Sequence, residues 1–221
     1  MLENESCLDR IIVLISFSVM WQRYQRLIKQ KPLLTSSITG AGVMVIGDLL
    51  AQTIKIKGMN STGEEDFDFR RTFCMGTFSG LIMAPTFLFW FRRLDRWFPG
   101  NSVRNATIKV IANHAAVAIP FNVLALTYTV TSESLLSFVL DGAPFDKGAV
   151  VGEIEHRCKA DLFKLFVASS AVWVPVNMLN FLFVPSHLRV LPTIFTSLGW
   201  NTFLSHTAHG DVVVKTDKKI N

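Results

Sequence analysis

The residues of this chain that could do chemistry are polar groups set inside apolar runs. Asp48 and Gln52 lie four residues apart, hence on one helix face, in the stretch 33–54. Asn113 and His114 share a second stretch with Pro120 and Asn122, and Asn180 stands in a third. An ionisable side chain at membrane depth is costly and turns toward the interior of a bundle or toward water. Such groups can line a lumen that only has to tolerate water, or they can hydrogen-bond one helix to the next. For Asp48 both readings stand equal, whereas a lone histidine such as His114 is more often a packing residue than a ligand.

Enzymatic signatures are weak by comparison. Glu153-Ile-Glu-His156 fits Glu-x-x-His, but a di-iron bundle needs two such motifs and further carboxylates. His206-Thr-Ala-His209 is one histidine pair where a histidine-box oxidase would need several. There is no phosphate-binding glycine loop, nucleophile elbow or zinc signature. Cys7, Cys74 and Cys158 are odd in number and lack metal spacing. We therefore expect no catalytic residue, no metal site, no cofactor and no enzymatic activity.

The elements that must position the polar groups follow from hydropathy. Half of the residues are hydrophobic and 18% are charged, against roughly a quarter charged in soluble domains. Crossing a hydrocarbon core takes about 20 mostly apolar residues. The stretches 33–54, 72–91, 108–130 and 162–185 meet that length, and 188–205 is a weaker fifth, diluted by Pro192, Thr193, Thr196, Ser197 and Asn201. The expected fold is all-α, a polytopic transmembrane helical bundle of about four spans plus interfacial or embedded helices. Its expected divisions are an N-terminal extension with an interfacial basic helix (1–32), the bundle (33–209) and a polar basic tail (210–221). Small residues at four-residue spacing, Ser36/Gly40, Gly47/Ala51 and Gly76/Gly80/Ala84, would let backbones approach.

Charge orders the connections. Arg23, Arg26, Lys29 and Lys31 precede the first span, and Arg92, Arg93, Arg96, Arg104 and Lys109 follow the second, opposed only by Asp95. Arg189, Lys215, Lys218 and Lys219 follow the fourth, whereas 55–71 is balanced and 131–161 acidic. Four spans with both termini on the basic side satisfy the positive-inside bias, so 188–205 is expected to be embedded rather than spanning. These loop charges account for the net charge of +5, and no nucleic-acid partner is expected. Val150, Ile154, Cys158 and Leu162 form one apolar stripe in a charged segment, suited to the bilayer surface or to the protein's own helices. The segments 87–99 and 181–192 echo each other, each running from a span end through Leu and Arg to Pro.

The segment 173–189 is apolar yet holds Trp173, Pro175, Asn177, Asn180 and Pro185 and ends in Arg189. Prolines and amides in lipid need neighbouring helices or water, so it reads as part of a packed bundle that lines something. The chain resembles the 22-kDa peroxisomal membrane protein family, which includes the mitochondrial inner-membrane Mpv-seventeen proteins. The resemblance rests on Trp21-Gln-Arg-Tyr24 with Pro32, Gly47-Asp48 with Gln52, and Asp68-x-Arg70-Arg71. It continues through Gly76, Gly80, Pro85, Trp90, Leu94-Asp95-Arg96 and Pro99-Gly100. It closes on Asp161, Trp173-x-Pro175, Asn180-Phe181-x-x-Val184-Pro185, Arg189 and Trp200-Asn201-x-Phe203-Leu204-Ser205.

The resemblance implies four membrane helices in an organelle membrane and a role as a weakly selective pore or metabolite conduit. It departs at Asn113-His114, where members often carry Asp-Gln. The resulting expectation is a channel for small solutes, with Asp48, Gln52, Asn113, His114 and Asn180 in a polar interior. Arg70, Arg71, Arg92, Arg93 and Arg189 are placed at its mouths or against headgroups, and Trp173, Pro175, Phe181, Pro185 and Trp200 are assigned to structure. Expected partners are the lipid bilayer, small solutes or metabolites, and a second copy of the chain. The mitochondrial inner membrane is preferred to the peroxisomal one. The alternative is a non-conducting structural membrane protein that organises complexes or lipids, and it predicts a shielded, paired Asp48.

Overall fold

A computed structural model describes residues 2–58 and 67–202, with side chains for 15–53, 67–160 and 162–202. The tail 210–221 and the pair His206/His209 lie outside the described residues. Six helices follow one another: α1 (Leu2–Gln30), α2 (Pro32–Gly58), α3 (Phe69–Trp97), α4 (Val103–Asp141), α5 (Lys147–Phe183) and α6 (residues 190–202). Four of them carry stretches long and apolar enough to cross a membrane: Pro32–Thr53, Phe69–Trp97, Val103–Asp141 and Leu162–Phe183. The expected all-α bundle with four spans is what the chain forms. The described part of α6, at 1.5 Å per residue, is about 20 Å long, short of a hydrocarbon core of about 30 Å.

Side chains set the helix ends. Asp68 accepts a hydrogen bond from the Arg71 N–H at 3.0 Å, Ser102 from Asn105 at 3.3 Å and Asp146 from Gly148 at 2.8 Å. These caps occupy amide donors that the first turn leaves unpaired. α4 stops at Gly142, whose φ of 66° is open to glycine and strained for other residues. Within α3, residues Phe78–Met83 are π-helical, just before Pro85. Proline has no N–H and its ring crowds the carbonyl four residues back, so the wider turn relieves the ladder there. α4 and α5 run through Pro120 and Pro175 without interruption.

Hydropathy is inverted relative to a water-soluble protein. Large apolar side chains such as Ile46, Leu81, Phe89, Ile111, Phe163 and Phe183 are exposed, while Ser36, Asp48, Thr72, Lys109, Asn177 and Arg189 are buried. That distribution suits hydrocarbon outside and hydrogen-bonded packing inside. The apolar core gathers on the second half of α3, where Met83, Phe87, Leu88, Phe91 and Leu94 meet Val110, Phe181 and Ile194. α2 lies close against α3, since a Cβ on Gly80 would stand 2.9 Å from the Ser37 carbonyl oxygen and 2.9 Å from Ala41 Cβ. α4 and α5 form a long antiparallel pair, with His114 opposite Ser170 and Phe138 opposite Phe145. Val150, Ile154, Cys158 and Leu162 are half-buried along α5 while Glu153, Glu155 and Lys159 beside them are exposed. The stripe thus belongs to the same continuous helix as the fourth span.

Candidate functional site

Three polar sites divide the expected interior residues between them. The first lies between α2 and α3. Asp48 is 3% exposed and its Oδ2 accepts from Gln52 Nε2 at 2.7 Å and from the Thr72 hydroxyl at 2.6 Å. Arg71 reaches Asp48 Oδ1 at 3.0 Å. Gln52 also accepts from the Asp68 N–H at 2.8 Å, tying the helix cap into the same network. The carboxylate therefore meets a cation and two donors, the arrangement that makes a buried charge tolerable.

The second lies where α3, α4, α5 and the 184–189 turn meet. Asp95 Oδ1 accepts from Lys109 Nζ at 2.7 Å and pairs with Arg189 Nη1, and both cations are 1% exposed. Arg189 further donates to Asn101 Oδ1 at 2.9 Å and to the carbonyls of Val184 at 3.1 Å and Phe181 at 3.4 Å. Those carbonyls end α5, so the guanidinium also answers the negative end of that helix. Asn180 donates to the Arg189 carbonyl at 2.9 Å, and Phe181 stands under both cations and edge-on to Phe91. Arg189, expected at a mouth, is thus a buried tie. A charged residue just past a span can fold inward when a carboxylate from another helix is waiting.

The third is a partly open cavity of about 100 Å³ lined by residues of α2 to α6. Asn113 and His114 line it, joined by Asn177 and by Trp173, Ser197 and Trp200. Asn113 Oδ1 accepts from the Trp90 indole at 2.8 Å, and His114 Nε2 is 2.9 Å from the Ser170 hydroxyl, with its ring against Phe166. Trp173 and Trp200, assigned above to structure, are wall residues of this cavity. Asp48, Gln52 and Asn180 are not on this cavity. Among the described residues only Met44 and Asn201, whose amide is 3.5 Å from the Met44 sulfur, border both the cavity and the small pocket holding Asp48.

The remaining arginines lie outward. Arg70 makes a two-pronged pair with Asp141 at 2.5 Å, linking the start of α3 to the end of α4. Arg92 and Arg93 are exposed, Arg93 lying over Trp97 at 4.8 Å. Glu153, noted for its spacing to His156, is paired with Arg157 at 2.6 Å, which holds its carboxyl below the usual range. The lining residues missed above carry a readable signal. Ser169, Trp173 and Asn177, and likewise Ser197 and Asn201, recur every four residues and make a polar stripe on an apolar helix.

Four apolar helices around a hydrogen-bonded interior define a polytopic integral membrane protein. Comparison with known sequences gives its family: the chain belongs to the Mpv17 / PMP22 family, whose pattern matches residues 147–205. Protein sym1 of Aspergillus oryzae is 31% identical over 193 residues, covering 87% of this chain and 99% of that protein. PXMP2/4 family protein 1 of Dictyostelium discoideum is 29% identical, covering 86% and 84%. Mitochondrial inner membrane protein Mpv17 of Rattus norvegicus is 25% identical, covering 86% and 98%. No solved structure matches.

Proposed function

We propose that the protein is a conduit for small solutes in the mitochondrial inner membrane. The observation that carries this reading is the cavity lined by Asn113, His114 and Asn177 at the depth of the membrane-spanning helices. Amides and hydroxyls there cost stability unless water or a solute completes their hydrogen bonds. The location follows the relatives named as mitochondrial inner membrane proteins. A non-conducting structural role is the competing reading, and the closed pairing of Asp48 with Arg71, Gln52 and Thr72 speaks for it.

Planar-bilayer conductance of the purified chain separates the two. Ala118 lines the cavity, so Ala118→Phe fills it without touching either ion-pair cluster. Discrete openings that shrink or vanish in Ala118→Phe support the conduit. A folded protein that stays silent across a wide voltage range and passes no small solute into liposomes refutes it and leaves the structural role.

A further inference from the structure

The cavity's wall holds hydrogen-bonding positions that the protein leaves open. Asn177 is 4% exposed and its Oδ1 has no partner among the described residues. Ser169 donates its single proton to the Phe166 carbonyl at 3.0 Å, and Ser197 donates its own to the Thr193 carbonyl at 2.8 Å. Both hydroxyl oxygens are left as acceptors. Asn113 has its oxygen occupied by Trp90 and retains its amide protons. With the amide N–H groups of Asn113 and Asn177 beside them, the wall offers acceptors and donors together. Among the described residues no Lys, Arg, Asp or Glu lines the space, and Phe121, Trp173 and Trp200 stand in its wall.

A charged solute entering such a place would shed water and meet no countercharge. A bare cation would find too few oxygens to replace its hydration shell. An uncharged molecule with several O–H or N–H groups loses least, because its protons meet the orphan acceptors while its carbon skeleton lies on the rings. The volume of about 100 Å³ is of the order of cavities, about 150 Å³, that admit a benzene-sized ligand. Resting on the conduit reading, we infer that this cavity is a selectivity site for small uncharged polar solutes that carry O–H or N–H groups, with Asn177 Oδ1 as the central acceptor.

The test uses the full chain in sealed liposomes and two probes on one four-carbon skeleton, erythritol and the anion erythronate. Erythritol should pass at least about tenfold faster than erythronate, since only the anion must lose its charge's hydration. Asn177→Leu should lower erythritol flux about three- to tenfold, the worth of one hydrogen bond. Asn177→Ser, which keeps an acceptor, should retain most of it. Equal passage of both probes with ion currents intact overturns the inference and leaves the conduit standing, as does an Asn177→Leu protein with unchanged flux. Should neither solute nor ion move, the conduit reading falls, and quenching of Trp173 fluorescence decides the site by itself. Acrylamide, an uncharged amide, quenching the component lost in Trp173→Phe, and doing so less in Asn177→Leu, supports the site. Iodide quenching that component equally well refutes it.

Discussion

Arg189 and Asp95, 94 residues apart in sequence, form an ion pair that joins the end of α5 to the end of α3. Lys109 of α4 shares the same carboxylate oxygen. One acid thus faces two buried cations, and its removal leaves both without a countercharge. Asp95→Asn should destabilise the bundle by about 3–5 kcal/mol, the range for breaking a buried pair. Thermal unfolding in detergent checks this, and a variant as stable as the parent would show that the carbonyls of Gly100, Phe181 and Val184 suffice for the cations.

That junction also shows what sequence could and could not reveal. The four spans were legible because apolar residues come in blocks of membrane length. The echo between 87–99 and 181–192 was visible as a pattern, and the two segments meet at Phe91/Phe181 and Asp95/Arg189. What could not be read was direction around each helix axis. Arg189 and Arg93 look alike in sequence, both basic and both at a span end, yet one is buried and the other exposed. Asp48, His114 and Asn180 were each seen as polar in apolar surroundings. Their division among three sites depends on helix rotation and on caps such as Asp68, which no spacing rule encodes.

Two glycines separate soft from hard contacts between helices. A Cβ on Gly47 would lie 1.8 Å from Leu198 Cδ1, the tip of a side chain that can turn aside. On Gly80 it would meet the Ser37 carbonyl oxygen and Ala41 Cβ, both at 2.9 Å and both fixed to α2. Gly80→Ala should therefore cost about 1–3 kcal/mol through overpacking. Gly47→Ala should cost less, because the Leu198 tip can turn aside whereas the α2 atoms facing Gly80 cannot. Adding Leu198→Ala should relieve Gly47→Ala and leave Gly80→Ala unchanged, a coupling that thermal shifts of the double variants would reveal. Equal costs at the two sites would contradict the distinction.

His187, in the turn after α5, has its protonation pushed down from the ordinary value of 6.5 by burial and then by Lys29 at the end of α1. The unfolded chain therefore binds this proton more readily than the folded one. The stability it permits is present above about pH 6.5 and declines as pH falls toward the lower folded value. His187→Gln should lose less stability than the parent on going from about pH 7.5 to about pH 5.5. Parallel melting curves at the two pH values, with the same drop in both proteins, would rule this out.

The hydroxyl of Thr72 donates to Asp48 at 2.6 Å and accepts from Gln52 at 3.0 Å, so one oxygen bridges the two residues on α2. Valine has the same shape and neither bond, and leaves a 3%-exposed carboxylate one donor short. Thr72→Val should destabilise the bundle by about 1.5–3 kcal/mol, the range for hydrogen bonds to charged groups. Because this cluster stands apart from the Asn113/His114 cavity, the single-channel conductance of the folded fraction should not change. A melting temperature that falls while conductance holds would assign Asp48 to helix pairing. A conductance that shifts with little loss of stability would put Asp48 on the solute path and make Met44 and Asn201, the residues bordering both spaces, the place where that path is closed.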